Sequence, residues 1–174
     1  VIWLAALGAL AWRQTLFWKD SETLYERVVA VEPGNYFAWH NLAVQYQLAG
    51  RHEEALAAER RSIEHHPGKG NLPARVNLAH LLEMLGRRGE ALDAWRAILD
   101  VDPAHAEALR TLKNERLRGG DVAGAVALLE AALERAPESI DAYAELAGLY
   151  ARQERPAEAL AVWERAARAA PASA

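Results

Sequence analysis

The sequence contains no cysteine among its 174 residues. Disulfide bonds, thiol nucleophiles and thiolate zinc sites are therefore excluded. A surplus of basic residues is also missing, because 20 lysines and arginines stand against 24 aspartates and glutamates, giving a net charge of −4. A protein that binds nucleic acid by neutralising phosphates needs the opposite balance. We therefore expect no nucleic-acid partner.

Catalytic signatures are missing as well. The sequence has no HExxH, GxSxG, phosphate-loop or dinucleotide-binding pattern. His65 and His66 adjoin a predicted helix end, where the helix dipole favours cations, and we interpret them as structural rather than as metal ligands. Neighbouring carboxylates such as Glu53 and Glu54 fit a solvated helix face. The sequence predicts no catalytic residue, no metal and no cofactor, and hence a chain that is not an enzyme by itself.

What the sequence does contain is a period. Three residue types recur in one register, with steps of 34, 36, 34 and 34 for the prolines and of 36, 34 and 34 for one leucine and one alanine. These residues are Pro33, Pro67, Pro103, Pro137 and Pro171, then Leu42, Leu78, Leu112 and Leu146, then Ala55, Ala91, Ala125 and Ala159. Two helical patterns fill each period, one of them marked by Trp39, Leu42, Ala43 and Tyr46 on a single face. In period and pattern the chain resembles tetratricopeptide-repeat proteins.

The resemblance implies an all-α fold, an α-solenoid or superhelix of antiparallel helix pairs preceded by an apolar N-terminal helix. We expect a truncated transmembrane or apolar helix to end within 1–18 and a capping helix, half a repeat, to occupy 19–35. Four repeats should follow at 36–69, 70–105, 106–139 and 140–174. No alternating apolar pattern or tight hairpin turn predicts a strand.

Two of the repeats depart from the pattern. In the third, Lys113 and Arg116 occupy positions that are apolar in the other repeats, where a cation is costly unless its side chain reaches solvent or finds a partner. Two interpretations stay open: a splayed helix with both side chains in solvent, or a cationic notch for an anionic group. In the fourth, Glu154 replaces the turn glycine, so we expect that turn to close differently.

The chain opens on twelve apolar residues, VIWLAALGALAW. A membrane span needs about 20, and a signal peptide needs a basic stretch ahead of its apolar core. The segment is either a buried helix or the end of a transmembrane helix that begins upstream of Val1. Trp12, Arg13 and Trp18 favour the second, because tryptophan and arginine suit a membrane interface. We therefore expect a membrane partner through this helix.

The first helix of each repeat should line a groove that binds a protein or an extended peptide. The predicted groove residues are His40, Asn41, Val44, Gln47, Asn77, His80, Met84, Arg110, Thr111 and Asn114. Asn41 and Asn77 hold equivalent positions and could clamp a peptide backbone, since a side-chain amide both donates and accepts. This pair resembles the asparagine ladder of O-linked N-acetylglucosamine transferases, although it stops after two rungs. Alternatively, both amides bond the backbone of neighbouring helices. A carboxylate clamp like that of co-chaperones is disfavoured, because the first two repeats lack the lysines it needs.

The junction ahead of the repeats resembles that of multi-spanning membrane proteins related to protein O-mannosyltransferases. The likeness rests on Trp18, Asp20, Ser21, Leu24, Pro33, Asn35, Asn41, Leu42 and the Gly50–Ala55 turn. It implies repeats on the extracytoplasmic, periplasmic side, whereas Arg13 and Lys19 mildly favour the cytoplasmic side. The predicted function is a protein-binding scaffold within a membrane protein. The alternative is the acceptor-docking domain of a membrane glycosyltransferase whose catalytic part lies upstream of Val1.

Overall fold

A computed structural model describes residues 21–169, which contain nine α-helices and no strand. The helices are α1 (Ser21–Val31), α2 (Tyr36–Leu48), α3 (His52–His65), α4 (Leu72–Met84), α5 (Arg88–Val101), α6 (Ala106–Arg118), α7 (Val122–Arg135), α8 (Ile140–Arg152) and α9 (Pro156–Ala169). The 3-10 turn Lys69–Asn71 precedes α4. The chain forms two compact units, divided between Ala91 and Leu92 inside α5. The all-α prediction is confirmed over the described residues.

Side-chain caps begin several of these helices. Asn35 Oδ1 accepts a hydrogen bond from the Ala38 amide at 3.0 Å at the start of α2. Asp121 does the same for the Gly124 amide of α7 at 2.8 Å, and Ser139 for the Ala142 amide of α8 at 3.2 Å. Each cap satisfies an amide that has no partner within its own helix. The polar residue ahead of the apolar stretch therefore fixes where α2, α7 and α8 start.

Small residues at the repeated alanine positions let the helices of unit 1 pack closely. Ala43 of α2 and Ala55 of α3 are fully buried, and they pack with Ala58 and Leu81 in one apolar cluster. A second cluster joins Val29 of α1 to Ala38 and Leu42 of α2. Larger side chains at these positions would force the helices apart. Ala43 and Ala55 thus belong to the surface on which α2 and α3 pack.

The turn after α8 closes in the same way as the other turns, contrary to our expectation for Glu154. Glu154 adopts a φ of 58°, within the left-handed region that Gly50, Gly86 and Gly120 occupy in the earlier turns. The Arg155 amide then bonds the Tyr150 carbonyl at 3.1 Å, just as the Arg51 amide bonds the Tyr46 carbonyl at 2.8 Å. The hydrogen-bonded turn geometry overrides the steric preference of this one residue.

Replacing Glu154 with glycine should stabilise the chain by about 0.5–1 kcal/mol. A side chain in the left-handed conformation costs about 1–2 kcal/mol, part of which the greater freedom of unfolded glycine offsets. Chemical denaturation followed by circular dichroism measures the change. Gly50→Ala serves as the opposite control, because it adds a side chain at a φ of 74° with open space around it and should destabilise. A Glu154→Gly variant no more stable than the parent would contradict this account.

Lys113 lies buried in unit 2, so the interpretation that places both side chains in solvent is wrong. Only 3% of its side chain is exposed, and its ammonium group donates to Glu145 of α8. Arg116 does extend outward, where it pairs with Asp121 at 2.9 Å. Neither cation forms an open notch, because a carboxylate of this chain already contacts each of them.

The predicted N-terminal apolar helix at 1–18 lies outside the described residues. Between Ser21 and Ala169, no helix combines the length and the apolarity that crossing a membrane requires.

Candidate peptide-binding surface

One face of α2 carries large apolar side chains in solvent. Four residues of α2 share one side of the helix because they are spaced at i, i+4, i+7 and i+11. They are Phe37, Asn41, Val44 and Leu48. Phe37 is 62% exposed and Leu48 is 79% exposed. Such residues usually face the core on an amphipathic helix, so their exposure marks a surface that is available to a partner.

The same four positions recur 36 residues later on α4. They are Pro73, Asn77, His80 and Met84, and Met84 is 59% exposed. We call the residues Phe37, His40, Asn41, Val44, Leu48, Asn77, His80 and Met84 the α2–α4 surface. It combines exposed apolar side chains near the helix ends with amides and imidazoles between them.

A buried carboxylate of α3 joins the two helices of this surface. Glu59 is fully buried, and its two oxygens lie 2.9 and 3.0 Å from Nδ1 of His40. Asn77 donates its amide to the same carboxylate at 2.6 Å. His40 on α2 and Asn77 on α4 are therefore neighbours, held together by one side chain beneath them.

Glu59 stands where the other repeats have large apolar residues. The positions equivalent by the repeat spacing are Trp95, Leu129 and Trp163, and Trp95 and Leu129 are fully buried. Burial of a carboxylate is costly unless charges and hydrogen bonds compensate for it. Here His40 and Asn77 supply that compensation.

Proton affinities in this cluster are shifted upward. The hydrogen bond from His40 to Glu59 raises the pKa of the imidazole above its usual value near 6.5. Burial raises the pKa of the Glu59 carboxyl, although the bonds from His40 and Asn77 oppose that effect. The imidazole thus holds its proton to a higher pH than a solvated histidine does.

The two asparagines have different partners. Asn41 donates its amide to the Phe37 carbonyl of its own helix at 2.8 Å, whereas Asn77 donates to Glu59. Both amide groups therefore already make one hydrogen bond within the chain. Among residues 21–169, neither amide bonds the backbone of a neighbouring helix, because Asn41 bonds its own helix and Asn77 bonds a side chain. Whether either residue also clamps a peptide stays a prediction.

Sequence reasoning missed Phe37 and Leu48, although it named their neighbours His40, Asn41, Val44 and Gln47. The helical spacing that links Asn41 and Val44 extends to both, and it was the available signal. His80 is the remaining predicted residue of α4, and its Nδ1 lies 3.6 Å from Oε2 of Glu83.

The predicted groove residues of α6 belong to unit 2. Arg110 is exposed, with Glu107 at 4.0 Å; Asn114 is exposed and Thr111 is half-buried. At the positions of Phe37 and Leu48, α6 carries Glu107 and Arg118. The combination of apolar anchors with amides therefore occurs on α2 and α4 but not on α6.

Comparisons with known proteins agree with this architecture. Two models of the tetratricopeptide repeat match residues 24–57 and 116–174. A comparison with curated proteins gives no match. The crystal structure of MamA is 18% identical, with a TM-score of 0.56 over 90% of this chain and 91% of that one.

Two further solved structures share the fold. A tetratricopeptide repeat protein from Parabacteroides merdae is 21% identical, with a TM-score of 0.55 over 86% of this chain and 72% of its own. YrrB, described as a TPR protein with an unusual peptide-binding site, is 17% identical, with a TM-score of 0.51 over 87% and 77%. Helix pairs that recur at a fixed period, each with a turn residue in the left-handed backbone conformation, define an α-helical repeat protein. Its repeats are tetratricopeptide repeats.

Proposed function

We propose that this chain is a scaffold that binds a peptide or protein segment on the α2–α4 surface. The observation that carries the proposal is the exposure of Phe37, Leu48 and Met84 on two helices that Glu59 holds side by side. Exposed apolar side chains grouped in this way mark interaction sites. Amides and imidazoles between them supply the polar contacts that orient a ligand.

The repeat class supports a binding function. Tetratricopeptide-repeat proteins are generally scaffolds rather than catalysts, and the YrrB structure is described by a peptide-binding site. The fold alone does not select a partner, so the proposal depends on the side chains of this chain. They favour a segment with apolar anchors at both ends and polar groups between them.

The spacing of the anchors sets the size of the bound segment. Phe37 and Leu48 are eleven residues apart on α2, which corresponds to about 16 Å along the helix axis. An extended peptide covers that distance in about five residues. A short linear segment is thus long enough to contact both ends of the surface.

Removing two anchors should weaken peptide binding at least tenfold. The probe is a set of twelve-residue peptides selected from a random displayed library on the full chain, then synthesised with a fluorophore. Leu48→Ser with Met84→Ser removes apolar contact area, worth about 1.5–3 kcal/mol for each side chain that becomes fully buried. Fluorescence anisotropy gives the Kd for each protein.

The matched control for this experiment is Leu160→Ser on α9, because Leu160 is 61% exposed in unit 2. It should leave the Kd unchanged. Equal affinity of the parent and the Leu48/Met84 variant, or selection of no peptide at all, would refute the α2–α4 surface as the binding site.

A second candidate function rests on the apolar residues at 1–18 and the junction that follows them. Under this hypothesis the repeats form the acceptor-docking domain of a membrane glycosyltransferase. The segment 1–18 attaches them to the membrane, and they face the extracytoplasmic side. Reading the coding sequence upstream of Val1 tests it. Eight or more hydrophobic spans with an acidic residue in the first loop would support this function, whereas a single span or none would refute it.

A further inference from the structure

The His40 ring is fixed on one edge and free on the other. Its Nδ1 edge faces the buried carboxylate of Glu59, while 22% of the side chain remains exposed. Nε2 has no partner among residues 21–169 and is not one of their buried, unbonded polar atoms. Nε2 is therefore at least partly accessible, on the α2–α4 surface.

A carboxylate beneath a histidine fixes both the orientation and the protonation of the ring. With Nδ1–H donating to Glu59, the ring cannot rotate without breaking bonds to both carboxylate oxygens. Asn77 holds the same carboxylate from α4, so the acceptor is fixed as well. When the ring is protonated, Nε2–H becomes a second donor and points away from Glu59. Trp95 and Leu129 show that packing at the Glu59 position needs no carboxylate.

We propose that His40 recognises a carboxylate of the bound segment, through a hydrogen bond from Nε2–H to a carboxylate oxygen. This inference rests on the proposed function and adds the chemistry of the partner: a peptide with an acidic group between apolar anchors. The acid is either an aspartate or glutamate side chain or the free C terminus of the peptide. A buried carboxylate on the far side of the ring stabilises the imidazolium that makes this bond.

The charged groups around His40 permit an anionic ligand. Apart from His40, no residue of α2 is charged. On α1, Glu26 accepts from the Tyr46 hydroxyl and Glu22 pairs with Arg51. On α3, the carboxylate against His40 is Glu59, and on α4 Glu83 lies beside His80. Among residues 21–169, Glu59 is the acidic residue that bonds the His40 ring.

Binding of a carboxylate should depend on pH with a definite sign. Glu59 raises the pKa of His40, so the ring is cationic up to a pH above its ordinary value of about 6.5. Above that pKa, Nε2 loses its proton and becomes an acceptor, which cannot bond a carboxylate. Affinity for an acidic peptide should therefore fall as pH rises through the pKa of His40.

Two substitutions separate the two edges of the ring. In His40→Asn, the side-chain amide nitrogen is the same number of bonds from Cβ as Nδ1 is in histidine. This variant can therefore keep the contact with Glu59 while losing the outward donor. The amide nitrogen of His40→Gln matches Nε2 instead and keeps an outward donor that does not titrate. The pair therefore distinguishes recognition at the surface from support of the fold.

The test uses two random twelve-residue libraries selected on the full chain at pH 6, one displayed with a free C terminus and one fused through it. Acidic peptides should be enriched. Replacing the acid with its amide, or His40 with Asn, should weaken binding about tenfold, the usual scale for a charged hydrogen bond. As pH rises from 6 through the pKa of His40, the parent should lose affinity, while His40→Asn and His40→Gln stay level. Enrichment in only one library identifies the source of the carboxylate.

The outcomes distinguish this inference from the proposed function. Peptides that depend on Leu48 and Met84 but tolerate replacement of every acid by its amide would overturn the role of His40 and leave the binding surface intact. Peptides whose affinity does not change when Leu48 and Met84 are replaced would overturn both the role of His40 and the proposed binding surface. If His40→Asn loses both binding and helicity, the test depends on His40→Gln. The affinity of His40→Gln for the acidic peptide must then stay constant with pH.

Discussion

Replacing Glu145 with alanine should destabilise unit 2 by roughly 3–5 kcal/mol, the cost of removing one partner from a buried ion pair. Glu145 is the carboxylate that contacts Lys113, whose side chain is almost completely buried between the helices of that unit. Without it, the ammonium group keeps its burial but loses its compensating charge. The free energy of unfolding, measured by urea denaturation and circular dichroism, reports the loss.

Lys113→Met provides the matched control. It removes the charge and keeps a long unbranched side chain, and exchanging a buried ion pair for apolar packing is often neutral or stabilising by about 1–4 kcal/mol. Glu145 stays partly exposed and can be hydrated. Hydrogen exchange of α6 and α8 localises the effect, because each repeat depends mainly on its neighbours. If Glu145→Ala and Lys113→Met were equally destabilising, the ion pair would not be the cause.

This pair also shows where sequence reasoning succeeds and where it fails. The repeat period identified Lys113 as a cation at an apolar position, but it could not say that Glu145, 32 residues away, would meet it. The interpretation that placed Lys113 in solvent rested on the length of its side chain, which could have extended either way. A pattern along the chain predicts which face a residue occupies, not which partner it finds across helices.

The same limit applies to the binding surface. The positions of Asn41, Asn77 and Met84 on their helices followed from helical spacing. Glu59 was not singled out, because one glutamate among the charged residues of α3 looks like part of a solvated face. Comparison with Trp95 and Leu129 was the signal that could have identified it as buried.

Removing His40 should be nearly as damaging to unit 1. His40→Ala leaves the Glu59 carboxylate buried with Asn77 as its remaining partner, and a loss of roughly 3 kcal/mol is expected for an uncompensated buried charge. Glu59→Leu, which introduces the residue present at Leu129, should instead leave the stability near pH 8 unchanged or higher. Urea denaturation of both variants checks the contrast.

The pH dependence of these variants has a sign that follows from the two shifts. In the folded chain, the pKa of His40 and that of Glu59 both lie above their usual values. The folded state therefore binds more protons than the unfolded state, and stability falls as pH rises. The stability that Glu59 contributes is complete below its unfolded pKa near 4.5 and is lost as pH rises through its folded pKa. The stability that His40 contributes is complete below about pH 6.5 and is lost as pH rises through its own folded pKa.

Glu59→Leu removes both shifts, since His40 no longer faces a carboxylate. The advantage of this variant over the parent should therefore be greatest near pH 8 and should shrink toward pH 5, as the parent gains protons and stability. A difference between the two proteins that stays constant from pH 5 to 8 would contradict the coupling. If the variant is also more stable than the parent near pH 8, the parent has a carboxylate that weakens the fold while orienting His40 toward the surface. A stability cost at this position, combined with a loss of acidic-peptide binding in Glu59→Leu, would show that the cluster serves recognition rather than packing.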